Sequence, residues 1–309
     1  MRWLFVAGLG LGVASAVAAQ APRQMQIYAT VLDGAGIPAR SLDAEDVHVV
    51  EDGVDATVTK VEKLDWPVNL QILLDNGLGL GSGNIRSLKT GVDGLIAALA
   101  LPEYLQVTLV TTAPQPRFLT RGATSRAAID KGLELLGPDT RVGQFVDSLL
   151  EATERIERDD SGSFPAIVAV ATTSGDRRLK ESDIERILAR LAARPAIVHV
   201  VLFTGGPQGV NQAGLVQGAA YAGTNQFRVG TAVAKISGGT YESVTTAARL
   251  ESLLPEVGEN VASSVERYRQ QFRITAVRPA SATGAVGTVK VRVTPPLATV
   301  GLSFDGPVR

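Results

Sequence analysis

The sequence predicts an α/β fold: a doubly wound, mostly parallel sheet, accompanied by a small β-rich layer drawn from both ends of the chain. Three observations carry this. Runs that are apolar nearly throughout, Val68 to Leu74, Leu105 to Thr111, Ala166 to Thr172 and Ala196 to Phe203, read as strands buried on both faces. Helix-like stretches alternate with them, as in parallel sheets covered on both sides. Before Trp66 and after Gln270 the apolar residues recur at every second position instead, the pattern of half-buried antiparallel strands.

In chain order, residues 1–19 start Met-Arg-Trp, run apolar from Leu4 to Val17 and close on Val17-Ala18-Ala19-Gln20, with small residues at the cleavage positions. This predicts a secretory signal peptide, with an uncleaved anchor as the alternative. No later segment reaches the about 18 apolar residues of a membrane span. A periplasmic or secreted mature chain without a stable span is therefore expected.

Residues 20–65 are expected to form a β-rich segment, with strands at Gln26–Val31, Val47–Val50 and Ala56–Val61 and turns at Asp33–Gly36 and Glu51–Gly53. The α/β block, 66–268, adds helices at Ile85–Leu101, Ser125–Leu136, Val142–Ile156, Ser182–Ala193 and Phe227–Ile236, the last ended by Gly238-Gly239. Gly205–Gly223 reads as a surface excursion, Thr240–Glu242 as a last short strand, and Leu250–Tyr268 as a final helix with Pro255 near its start. Residues 269–309 return to alternation at Phe272–Val277, Val286–Val293 and Val300–Phe304. Neither β group alone can bury a stable apolar face, so the two are expected to share one layer.

Composition excludes several chemistries. The 309 residues carry 30 Lys+Arg against 31 Asp+Glu, with two His and no Cys. The balance leaves no basic excess for a phosphate backbone, so nucleic acid is not an expected partner. Without Cys there is no disulfide framework, thiol nucleophile or Cys-ligated zinc.

Ligands of open α/β sheets bind beyond the C-terminal strand ends, which directs attention to Asp75-Asn76-Gly77-Leu78-Gly79-Leu80-Gly81-Ser82-Gly83. A dinucleotide fingerprint fails on spacing, because the third glycine would fall on Ser82 or Asn84. A P-loop fails too, since the first Lys is Lys89. Asp75-Asn76-Gly77-Leu78-Gly79 instead occupies the frame of the Asp-x-Ser-x-Ser metal-ion-dependent adhesion site of von Willebrand factor A domains. "VNLQILLDNGLGLGSGNIRSLKTGVDGLI" resembles that family's first strand and helix, and "FPAIVAVATTSGD" its fourth strand and following loop. "TVLDGAGIPARSLDAEDVHVVEDGVDATVTKVE" is similar to the leader of bacterial VWFA-related proteins of the acidobacterial type.

The resemblance implies an Asp, two Ser, a Thr and a second Asp around a divalent ion, but this chain departs from that set. Both serines are Gly77 and Gly79, and the Thr-Asp-Gly that should hold the second Asp reads Thr172-Thr173-Ser174-Gly175. Thr140 matches the family threonine and Thr173 falls nearest the second Asp; Asp139 and Asp176 are out-of-frame candidates for rescue. A hard ion such as Mg²⁺ needs several oxygen ligands, so no cofactor is expected, and any residual metal would rest on Asp75 and Thr140. The expected degenerate binding site is Asp75, Gly77, Gly79, Thr140 and Thr173, with no catalytic residue. His48 and His199 read as structural strand residues, Asp159–Ser163 as a solvated connection, Arg177, Arg178 and Lys180 as an exposed helix start, and Trp66 as a junction residue. The expectation is an exported, non-catalytic module with a protein partner. Its alternatives are a Mg²⁺-dependent adhesion module and a nucleotide- or phosphate-binding enzyme using the Gly77–Gly83 loop.

Overall fold

The computed structural model describes residues 24–303 apart from 34, 36, 101, 160–161, 177–179, 195, 207–223, 283–285 and 295–298. The expected signal peptide, Arg177 and Arg178 and most of the expected Gly205–Gly223 excursion lie outside the described residues. In chain order the elements are β1 (Gln24–Leu32), β2 (Val47–Glu51), β3 (Val54–Lys63), β4 (Val68–Leu74), α1 (Ile85–Ala98), β5 (Leu105–Thr111), β6 (Arg117–Phe118), α2 (Arg126–Glu134), α3 (Phe145–Arg158) and β7 (Phe164–Thr172). They continue with α4 (Glu181–Ala193), β8 (Ile197–Phe203), α5 (Thr224–Ser237), β9 (Tyr241–Val244), α6 (Ala247–Arg269), β10 (Gln271–Val277), β11 (Val289–Val293) and β12 (Thr299–Ser303).

The alternating segments from the two ends do share one sheet, antiparallel throughout, in the order β11-β2-β3-β10-β1-β12. Alternation dictates its inner face: Met25, Ile27 and Ala29 of β1 pack with Val47 and Val49 of β2 and with Ile274 and Ala276 of β10. Asp52 and Gly53, both at positive φ, make the tight turn between β2 and β3. One inward position is charged. Glu51 is buried against Arg278, whose Nε lies 3.1 and 3.0 Å from the two carboxylate oxygens, and the carboxylate also accepts the Gly287 N–H.

The second sheet runs β6-β5-β4-β7-β8-β9, parallel except for β6. Every residue of β7 is buried, as its unbroken apolar run requires. Residues of α1, α2 and α6 cover one face and those of α3, α4 and α5 the other. Helices α1 and α6 meet backbone to backbone: a Cβ on Gly91 would stand 2.5 Å from the Leu250 carbonyl oxygen, and one on Gly258 2.6 Å from that of Leu95.

Three boundaries differ from expectation. Pro255 lies inside α6 rather than near its start, its ring packed where Gly94 has no side chain. α3 starts at Phe145, not Val142, because its cap comes from a distant residue described below. The two-residue β6, too short for any periodicity, was not expected. Trp66 does sit at the junction of the layers, under the Arg273 guanidinium at 4.9 Å and 6.3 Å from Tyr268, which stacks on Phe164. His199 is buried with Nδ1 2.9 Å from the Thr240 hydroxyl; burial pulls its pKa to about 4 and keeps it neutral. His48 is exposed on β2.

Candidate functional site

The loops after β4, β5, β7 and β8 converge at the C-terminal edge of the parallel sheet, where such sheets place their ligands. Asp75 follows β4 directly, its N–H held by the Val170 carbonyl at 2.8 Å, and only 1% of the residue is exposed. One carboxylate oxygen accepts the Gly77 N–H at 2.9 Å; the other accepts the Thr172 hydroxyl at 2.6 Å, and that hydroxyl lies 2.9 Å from the Ser174 hydroxyl. No Lys, Arg or His joins these partners among the described residues. Burial without a counter-charge raises the Asp75 pKa, against the hydrogen bonds from Thr172 and Gly77 that favour the ionised form.

The two glycines in place of serines are required by what surrounds them. A Cβ on Gly77 would stand 2.5 Å from the Arg141 carbonyl oxygen and 2.9 Å from the Gly143 nitrogen. A Cβ on Gly79 would stand 2.0 Å from the Ser174 hydroxyl oxygen and 2.2 Å from that of Thr172. The space that serine side chains would fill is therefore held by the protein itself. The Arg141 carbonyl accepts the Leu78 N–H at 2.8 Å, and Gly143 lies so close to the Asp75 carboxylate that a Cβ would be 2.4 Å from it. Gly206 closes on the other side, with room for no Cβ against the Gly79 carbonyl.

Of the residues expected at the site, Asp75, Gly77 and Gly79 come together and the other two do not. Thr140 is exposed, because the chain reaches Asp75 only three residues later, through Gly143. Thr173 is not the hydroxyl on Asp75: β7 ends at Thr172, and alternation puts Thr172 and Ser174 on the side facing Asp75 with Thr173 between them. The two rescue carboxylates are occupied elsewhere. Asp139 pairs with Arg141, which holds its pKa low. Asp176, at φ +50°, accepts the N–H groups of Phe145 and Val146 at 3.2 and 3.0 Å and so caps α3 from 31 residues away. The Gln226 amide also donates to it, at 3.0 Å, and burial pushes its pKa up to about 7.

This donor set does not fit a hexacoordinate Mg²⁺. The Asp75, Thr172 and Ser174 oxygens are hydrogen-bonded to one another or to backbone, and Gly77 and Gly79 add no side-chain oxygen. Among the described residues no group of three or more His, Asp or Glu is placed to hold a metal.

The segment resembling a von Willebrand factor A first strand is the first strand of the α/β sheet, beside its centre, and the segment resembling the fourth is the fourth in chain order. The parallel order β5-β4-β7-β8-β9, with helices on both faces, is the doubly wound α/β architecture that the sequence predicts. Among solved structures the chain is similar to a von Willebrand factor type A protein from Catenulispora acidiphila, with TM-score 0.48 and 11% identity over 94% of this chain and 75% of that one. It is also similar to the pilus adhesin SpaC from Lactobacillus rhamnosus GG, with TM-score 0.47 and 12% identity over 71% of this chain and 35% of that one. The conserved hypothetical protein BatB from Bacteroides thetaiotaomicron gives TM-score 0.47 and 15% identity over 63% and 99%. No protein-family model and no curated protein matches the chain. No helix among the described residues is long and apolar enough to cross a membrane.

The state of Asp75 in this domain is open to titration. A carboxyl whose folded pKa lies above its unfolded value stabilises the fold fully below the unfolded value, near 4, and loses that contribution as pH rises through the folded one. Asp176 acts in the same sense between about 4 and about 7, while His199, depressed to about 4, acts oppositely as pH falls from its ordinary value. A difference between two variants cancels both. The stability of Asp75→Asn minus that of the native protein is therefore expected to grow as pH rises from about 4 to about 8, measured by urea unfolding. The amide can donate to Thr172 and accept from Gly77 without burying a charge. A difference that shrinks with rising pH would show an ionised, stabilising Asp75.

Proposed function

We propose that the protein is an exported, non-catalytic protein-interaction module whose adhesion-type site is closed and operates without a metal ion. The observation that carries this reading is the packing of Gly77 and Gly79 against Arg141, Gly143, Thr172 and Ser174, which occupies the volume of the absent ligand side chains. Asp75 then serves the fold, as a buried hydrogen-bonding centre that ties the loop after β4 to the end of β7. Export is supported by the charged start, apolar core and small-residue junction of residues 1–19.

Isothermal titration with Mg²⁺ and Mn²⁺ tests the reading. The expected result is no one-to-one heat up to millimolar ion, and unchanged recovery of envelope partners in EDTA. A site tighter than about 1 mM, about 4 kcal/mol, that disappears in Asp75→Ala would restore the metal-dependent adhesion module. A thermal shift with millimolar nucleotide would favour the phosphate-binding enzyme.

A further inference from the structure

Away from the Asp75 loop, at the β6 edge of the parallel sheet, two arginines converge on one aromatic ring. The Arg121 guanidinium lies over Phe118 with Cζ 3.5 Å from the ring centroid, and the Arg155 guanidinium addresses the same ring at 4.9 Å. Arg155 is fixed from α3: Nε and Nη2 donate to the Gln71 side-chain oxygen at 3.1 and 2.8 Å, and Nη1 donates to Glu151 at 2.7 Å. Arg121 is exposed, and among the described residues it has neither an ion pair nor a side-chain hydrogen bond. The two like charges are close enough for Arg121 to lower the Arg155 pKa, with burial the larger cause and Glu151 and Glu154 opposing it. The ring attracts both cations through its face but brings no negative charge between them.

We infer that this Arg121–Phe118–Arg155 surface docks an acidic peptide segment of a protein partner, whose carboxylate supplies the counter-charge that Arg121, unlike Arg155, lacks among the described residues. A planar guanidinium presents paired N–H donors that match a carboxylate, and the ring beneath holds Arg121 in place before the partner arrives. Nucleic acid is a poor occupant for a chain of formal charge −1. The bulged course after β6, where the Leu119 and Thr120 N–H groups both reach the Leu109 carbonyl, discourages pairing of a whole strand at this edge. Recognition therefore falls to the side chains. The inference rests on the proposed interaction role only in taking the occupant to be a protein.

A fluorescent octaglutamate peptide, followed by anisotropy with the full mature chain, tests it, with octaglutamine as the uncharged control. The expected result is salt-sensitive binding of octaglutamate alone, weakened about threefold to fivefold by Arg121→Gln. Arg86→Gln, which removes an exposed arginine at the start of α1, is expected to leave binding unchanged. Equal binding of both peptides, an unaffected Arg121→Gln variant, or an equal loss in Arg86→Gln would overturn the docking surface. Mg²⁺ titration, which tests the closed site, is independent of each of these outcomes.

Discussion

Gly77→Ser and Gly79→Ser together, which restore the two hydroxyls of an intact adhesion loop, are expected to destabilise the protein and to create no Mg²⁺ site. At Gly77 the new Cβ meets backbone, the Arg141 carbonyl at 2.5 Å and the Gly143 nitrogen at 2.9 Å, and backbone cannot rotate aside. Relief requires the 141–143 segment to move off Asp75 and the Arg141–Leu78 hydrogen bond to break. Overpacking of this kind costs about 3 kcal/mol. At Gly79 the obstacles are side-chain atoms, two hydroxyls and the Ser174 Cβ at 2.8 Å, so Gly79→Ser alone costs less, about 1 kcal/mol, and Ser174→Gly should recover part of it. Urea midpoints with unchanged slopes provide the measurement. A double variant as stable as the native protein and binding Mg²⁺ would mean that the loops open freely, and the closed-site reading would fail.

Glu51→Ala is expected to lower the melting temperature by roughly 10 °C, because it leaves the Arg278 guanidinium buried without its carboxylate. The side chains are 1% and 6% exposed, which holds the pair out of bulk water, and Asp52 is the other carboxylate that acts on Arg278. The pair joins β2 of the N-terminal segment to the turn after β10, and the Gly287 N–H brings the approach to β11 onto the same carboxylate. Limited proteolysis of the variant should therefore open residues 25–63 and 271–293 together. Arg278 holds the Glu51 pKa below the ordinary carboxylate range, so this contribution is present above that range and is lost as pH falls through it. Replacing both partners by Leu and Met should cost less than Glu51→Ala. A shift below about 2 °C in the single variant would show that the pair is dispensable.

The fold was legible wherever one residue pattern decided one element. β4 and β7 are buried on both faces and read as apolar runs; β1 and β10 are buried on one and alternate. What escaped was set by contacts distant in sequence. The start of α3 is decided by Asp176, beyond the next strand, and β6 exists only as the partner of β5. At the site, the loss of serine ligands was plain from Gly77 and Gly79. That Thr172 takes the place expected for Thr173 follows from strand register, which a family frame does not carry. Glu51 did leave a signal, since it continues the inward parity of Val47 and Val49. A charge at an inward strand position calls for a buried partner, but nothing local points to Arg278.

The α/β block enters the β layer between β3 and β10, which are neighbours in the sheet although some two hundred residues apart in the chain. Its two ends meet: the Leu64 N–H donates to the Gln271 carbonyl at 2.9 Å. Once the inserted block has folded, the entropy of closing that long loop is already spent, and β10 finds β3 as the second arm of a hairpin finds the first. The block pairs its strands through short crossovers, whereas the layer built from both chain ends cannot close until β10, β11 and β12, the last strands of the chain, have been made.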